Sequence, residues 1–236
     1  MKSIPKCGVH TYCLILAILF LLSGTLFAQT FISTNHTNNN SSGLVTFNVQ
    51  NTNSYAIIIT DLSSHFGTNI ANNIQVLYRA TPINEPGTWT LGVVEPGQNG
   101  WISAGATTLS TSGGIYHAFS NLSIIIPANT TYTIAVSATV LNYMNLTAGA
   151  GINTFSSGGV NLLTGEGISW GGPAVPSTPV NYPRGFIGSI GFVPAMPCSG
   201  MPQAGTITGN SNACGGQNIT LQVNNGSIGL GIDYQW

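Results

Sequence analysis

The chain has 236 residues and a formal net charge of −1, and only 4% of its residues are charged, against roughly a quarter in a typical globular protein. Hydrophobic residues make up 43%, so this is not the disorder signature, which needs low hydrophobicity and high net charge. Without Lys2 and Lys6, which fall in the leader described next, Arg79 and Arg184 stand against Asp61, Glu85, Glu95, Glu166 and Asp233, a net charge of −3; with no basic stripe, nucleic acid and anionic membrane are not expected partners.

Lys2 and Lys6 precede an unbroken apolar run from Leu14 to Leu22, and Leu26-Phe27-Ala28 offers a small residue ahead of Gln29. This spacing predicts a cleaved secretory signal peptide over 1–28. The run is short for the about 20 residues of a spanning helix, so no transmembrane segment is expected after cleavage. Cys13 sits at the start of the run, the wrong place for a lipid anchor. Export puts the protein where disulfides persist, as secreted or cell-surface material.

Residues 29–42 are rich in Asn, Ser and Thr and read as a polar leader. A β-sandwich domain is expected over 43–194. Val45, Phe47 and Val49 alternate with polar residues, as a half-buried strand should. Tyr55 to Asp61 carries Ile57, Ile58 and Ile59 and reads as a central strand buried on both faces. Asp61, Ser63, Ser64 and His65 then read as a polar turn, and Ile74, Val76 and Tyr78 as a further strand. Glu85-Pro86-Gly87 and Glu95-Pro96-Gly97 each predict a type II turn, because Pro presets the second position and Gly accepts positive φ at the third. Trp89, Leu91 and Val93 lie on a strand between them, and Trp101 opens the next.

Leu122 to Pro127 and Thr131 to Leu141 predict a hairpin. In its second arm Tyr132, Ile134, Val136, Ala138 and Val140 face the core, and Thr131, Thr133, Ala135, Ser137 and Thr139 face solvent. Gly158 to Pro194 holds a short apolar strand, a Gly-rich turn with Glu166, Trp170 on a Gly-Gly-Pro corner and a Pro-punctuated loop. Arg184 follows, and then a closing strand with Phe186, Gly188, Ile190 and Phe192 on one face. No segment after the leader sustains a 3.6-residue apolar period. The fold class is therefore all-β, a sandwich or jelly roll. Residues 195–197 form a Pro-containing linker, and 198–236 read as an incomplete immunoglobulin-like module.

Cys198 to Trp236 (CSGMPQAGTITGNSNACGGQNITLQV…GIDYQW) resembles the first half of the immunoglobulin-like repeats of large secreted Bacteroidetes proteins, which typically end in a type IX secretion sorting domain. The preceding TGEGISWGG…NYPRGFIGSIGFVP is similar to a β domain that often precedes such repeats. The resemblance implies export, surface display or release, and a longer multidomain protein; it implies no activity.

Chemistry is sparse. Glu85 and Glu95 flank one strand and should lie more than about 20 Å apart, too far for a glycosidase pair. Asp61, Ser63, Ser64 and His65 supply the residue types of a nucleophilic triad, but triads draw each group from a separate element. His36, His65 and His117 show no ligand spacing, and the acids are too scattered for a side-chain calcium site. No catalytic residue, metal or cofactor is expected. Glu166 and Arg184 are candidates for a structural ion pair. Cys198 and Cys214 could bridge each other or pair with cysteines beyond Trp236, and have no metal-binding pattern. Trp89, Trp101, Trp170 and Tyr182 are candidates for an aromatic platform for sugar rings, against the alternative that they fill core and pin a loop. The sequence thus points to a non-catalytic secreted or cell-surface structural or adhesive module. The alternative is a carbohydrate-binding module attached to a downstream enzyme, with extracellular glycans or other surface proteins as partners.

Overall fold

The computed structural model describes residues 29–84 and 92–195, together with the backbone of 206–209 and 221–224. The cysteines Cys198 and Cys214, Trp89, the 1–28 leader, the first Glu-Pro-Gly turn and most of the proposed immunoglobulin-like module lie outside the described residues.

The fold is all-β and antiparallel, and among the described residues there is no helix. In chain order the strands of the main sheet are β1 (Thr30–Ser33), β2 (Asn40–Asn51), β3 (Ile57–Arg79), β4 (Ile102–Phe119), β5 (Ile124–Ile126) and β6 (Thr130–Asn145). They continue with β7 (Ile152–Ser157), β8 (Val160–Gly165), β9 (Gly171–Gly172), β10 (Arg184–Gly185) and β11 (Gly188–Pro194). The main path runs β1-β11-β3-β6-β2-β8-β7. Its two ends, β1 and β7, lie in contact, so the sheet curls into a nearly closed, sandwich-like barrel. A separate hairpin pairs β12 (Thr206–Gly209) with β13 (Leu221–Asn224).

The 23-residue β3 organises this topology. Along one edge it pairs first with β11 and then with β6; along the other it pairs with β5 and then with β4. A bulge at Thr60 against β11 breaks the register and reverses the side-chain phase. Before it Ile57 and Ile59 enter the core; after it Leu62 and Phe66 do. The expected polar turn at Asp61–His65 is therefore a correction: the chain continues as strand, because ladder partners on both sides hold it extended. The expected leader is corrected too, since β1 pairs with β11 and β2 already begins at Asn40.

One apolar core fills the barrel, with Phe47, Phe66, Ile134, Val136, Phe186, Ile190 and Phe192 among its buried members. Phe47 and Phe186 stack with centroids 4.2 Å apart. The solvent face predicted for Thr133, Ala135 and Ser137 is instead buried. Ala135 packs with Leu44, Leu77, Val94 and Trp101 in a second, smaller cluster. Segment 81–83 is tied onto the same face. Ile83 N donates to Thr133 Oγ1 at 2.9 Å, and Asn48 Nδ2 donates to Ile83 O at 2.6 Å. Period-two patterning saw one core and missed the second, because its covering segments are irregular. The expected hairpin also differs: β5 pairs with β3, while β6 pairs with β2.

Turn chemistry follows the sequence closely. Gln98 N donates to Glu95 O at 3.1 Å and Gly97 has φ of 82°, which makes the predicted type II turn. Gly158 and Gly159, at φ 53° and 73°, link β7 to β8 in a two-residue turn that demands positive φ at both positions.

Candidate functional site

The Gly171–Pro183 loop folds back over β2 and β6. Its anchor is Trp170, 5% exposed, whose ring lies against Tyr182 with centroids 4.6 Å apart. Thr46 N donates to Trp170 O at 2.8 Å, and Trp170 N donates to Thr46 Oγ1 at 2.9 Å. The Tyr182 hydroxyl accepts from Gly167 N at 2.5 Å. Farther along, Val175 N donates to Ser137 Oγ at 3.0 Å, and Ser177 bridges to Val94. Gly43 lets the loop approach: a methyl there would stand 2.0 Å from Ala174 N.

Trp101 is 1% exposed, with the Arg79 guanidinium carbon 5.8 Å from its ring centroid. A sugar stacks on an aromatic face that solvent can reach. Trp101 and Trp170 offer none, so of the two readings weighed for them the structure takes the core filler and the loop pin, with Tyr182 as the partner of the pin, while Trp89 lies outside the described residues. The Glu166–Arg184 ion pair is also absent. Glu166 Oε2 accepts from Gly151 N at 3.3 Å, while Arg184 donates to Pro183 O at 2.9 Å and lies 5.4 Å from the Tyr143 ring centroid.

Two concavities are lined by described residues. The larger, about 490 Å³, opens between β3, β4, β6 and the loop, and is lined by Asn73, Gln75, Thr107, Thr108, Ser137 and Thr139 with Ile74 and Val175. Its polar groups are neutral and partly pre-positioned: Thr108 Oγ1 donates to Asn73 Oδ1 at 2.8 Å, and Asn73 N donates to Thr139 Oγ1 at 3.2 Å. The second, about 440 Å³, is lined mainly by Pro82, Ile83, Ile152, Leu163 and Ile168, with Glu166 at its rim. Among the described residues that line it, Glu166 is the one carboxylate, where glycoside hydrolysis uses two.

The histidines separate clearly. His36 packs edge-on against Phe155 at 5.2 Å, and burial holds its imidazole below the usual 6.5. His65 meets Asn142 Nδ2 at 3.1 Å. His117, on β4, lies beside Ser63 and Asp61 of β3: its Nδ1 is 3.3 Å from Ser63 Oγ, and its Nε2 is 3.4 Å from Asp61 Oδ1. Sequence reasoning took the neighbouring His65 and missed His117, which is distant in the chain. Only the β3–β4 register, Ser63 opposite His117, brings them together. Among the described residues no group of three or more His, Cys, Asp or Glu could hold a metal ion, and no helix is long and apolar enough to cross a membrane.

The chain matches no protein-family model, and comparison with curated proteins gives no match.

Proposed function

We propose that this chain is a secreted or cell-surface module with a structural or adhesive role in a larger protein of the Bacteroidetes type IX cargo kind. The observation that carries this reading is β4. It is an 18-residue strand without Asp, Glu, Lys, Arg or proline, bonded along one edge among the described residues, with Ile102 and Ile115 49% and 60% exposed. A long edge free of Asp, Glu, Lys, Arg and proline lacks two of the features that ordinarily discourage association, although bulges at Ala104 and Ala118 interrupt its pairing with β3. Contacts made through such a surface are insensitive to screening. The test is retention of purified protein on intact cells and on extracellular matrix fractions at rising salt. Retention that persists at high salt supports the adhesive role. Absence of retention on every surface defeats it.

The second reading, carbohydrate binding, is favoured by the neutral groove on β3, β4 and β6. Hydroxyls and amides with no net charge suit an uncharged sugar better than a phosphate or a lipid. Glycan-array binding lost in Asn73→Ala and Thr108→Ala, with melting temperature unchanged, would support it. An array without a hit would remove it.

A further inference from the structure

We propose that Ser63, His117 and Asp61 form a nucleophilic serine site that accepts acyl groups from activated esters with an apolar acyl portion. This site is separate from the groove and independent of the adhesive reading.

Three observations converge. The first is the ordered contact Asp61–His117–Ser63, at 3.4 and 3.3 Å. A carboxylate beside Nε2 favours the tautomer with its proton there. That leaves the Nδ1 lone pair facing the Ser63 hydroxyl, as a general base requires. Contacts of this kind are often long before substrate binds.

The second is the backbone. Bulges at Thr60, against β11, and at Ala118, between the Leu62–Phe119 and Ser63–His117 pairs, lie on either side of the cluster. Bulges re-aim side chains and recur next to active sites. Without them Asp61, Ser63 and His117 would follow the simple pleat.

The third is the graded surroundings. The Asp61 side chain is 11% exposed and that of His117 51%, so the orienting acid is covered while the base can be reached. Gln29 Nε2 donates to Asp61 Oδ2 and to Thr60 Oγ1, holding the carboxylate in place. Gly191 makes this packing possible: a methyl there would stand 2.9 Å from Asp61 Cβ and 2.8 Å from the Phe31 ring. Phe31, half exposed on the same sheet face, supplies the apolar surface for the acyl portion.

In the reaction, Ser63 Oγ attacks the ester carbonyl while its proton passes to His117 Nδ1. Asp61 stabilises the imidazolium through Nε2. The tetrahedral adduct expels its alkoxide or phenolate, which takes the proton from His117, and the acyl group remains on Ser63 as an ester. Water, deprotonated by the same imidazole, returns free acid and hydroxyl. The sheet face, which no described segment encloses in a cleft, restricts the site to donors with good leaving groups.

The test treats the full secreted protein with an alkyl fluorophosphonate and maps the modified residue by peptide mass spectrometry. The expected product is a single phosphonate ester on Ser63, formed with loss of fluoride. It is absent in Ser63→Ala and formed about 100-fold more slowly in His117→Gln, the scale of a lost general base. The wild-type rate rises with pH to a plateau, and this dependence disappears in His117→Gln. An adduct at Ser63 that forms equally fast in His117→Gln overturns the proposal, as does no adduct at Ser63. His117 is half exposed, so its variant keeps the fold, and its melting curve checks this.

Discussion

Strands β6 and β4 are both long, both free of charged residues and both rich in Thr, Ser and Ala, yet they occupy opposite environments. From Thr133 to Ala138 every residue of β6 is buried, because β2 and β3 flank it and a covered layer lies on each face. In β4 only Thr111 is fully buried, and β3 is the neighbour it pairs with. Composition alone does not separate them. The difference lies in the phase of the large aliphatics and in what folds over the second face. In β6, Ile134 and Val136 enter one core while Ala135 enters another. In β4, Thr and Ser hydroxyls bond within the protein instead, as Thr108 does to Asn73 and Ser112 to Tyr116. A charge-poor chain can thus build both a core strand and a soluble edge from nearly the same alphabet.

The contrast can be broken most strongly from the core side. Leu141→Ala on β6, at a fully buried position, should cost about 2–5 kcal/mol, read from urea midpoints. Thr133→Val keeps the volume but removes the hydroxyl that serves Ile83 N and Asn48 Oδ1. It should cost about 1–3 kcal/mol, since buried partners are left unsatisfied. A loss below about 0.5 kcal/mol would mean that water reaches the 81–83 segment.

His36 tests the boundary between the two regimes. Its imidazole is held below 6.5 by burial, so the unfolded chain takes the proton first. Its contribution is therefore fully present above that pH and is lost as pH falls below it. The unfolding midpoint of wild type should drop more steeply than that of His36→Gln on acidification. Parallel curves would show that the ring is solvated. On the β4 side, Ile115→Thr should change stability by no more than about 0.5 kcal/mol. A larger loss would show that the edge is covered in solution.

Much of this architecture was legible. The strand at Val45, Phe47 and Val49, the Glu95-Pro96-Gly97 turn and the closing phase of Ile190 and Phe192 are local signals, and the structure keeps them. The expected half-buried strand is corrected, however, since Thr46 and Asn48 are buried as well under the covering segments. What escaped was non-local. The Thr60 bulge, which carries β3 through the expected turn, leaves no residue signature, because Thr is at home in any strand. The second core was hidden because Val94, Trp101 and Val175 come from irregular segments whose apolar residues follow no period. At the candidate sites, Trp101 and Trp170 advertised themselves by type, and their burial depended on segments folding back from elsewhere. His117 was silent for the opposite reason. An isolated histidine gains meaning only when a bulged ladder, set by pairings far away in the chain, puts Asp61 and Ser63 beside it.

The antiparallel pairing of β1 with β11 has a mechanical consequence. Thr30 lies opposite Phe192, so residues 29 and 195 leave the barrel at the same end. Ladder bonds run perpendicular to the strands. Tension applied between those two points therefore loads the four-residue β1 pairing one bond at a time, like a zipper, and not all together in shear. Such a body gives way at its first strand under low force while the rest stays folded. The strand that peels carries Phe31 and is continuous with Gln29, the two residues that cover Asp61, so a pull on the chain would bare that carboxylate before any other part of the barrel opened.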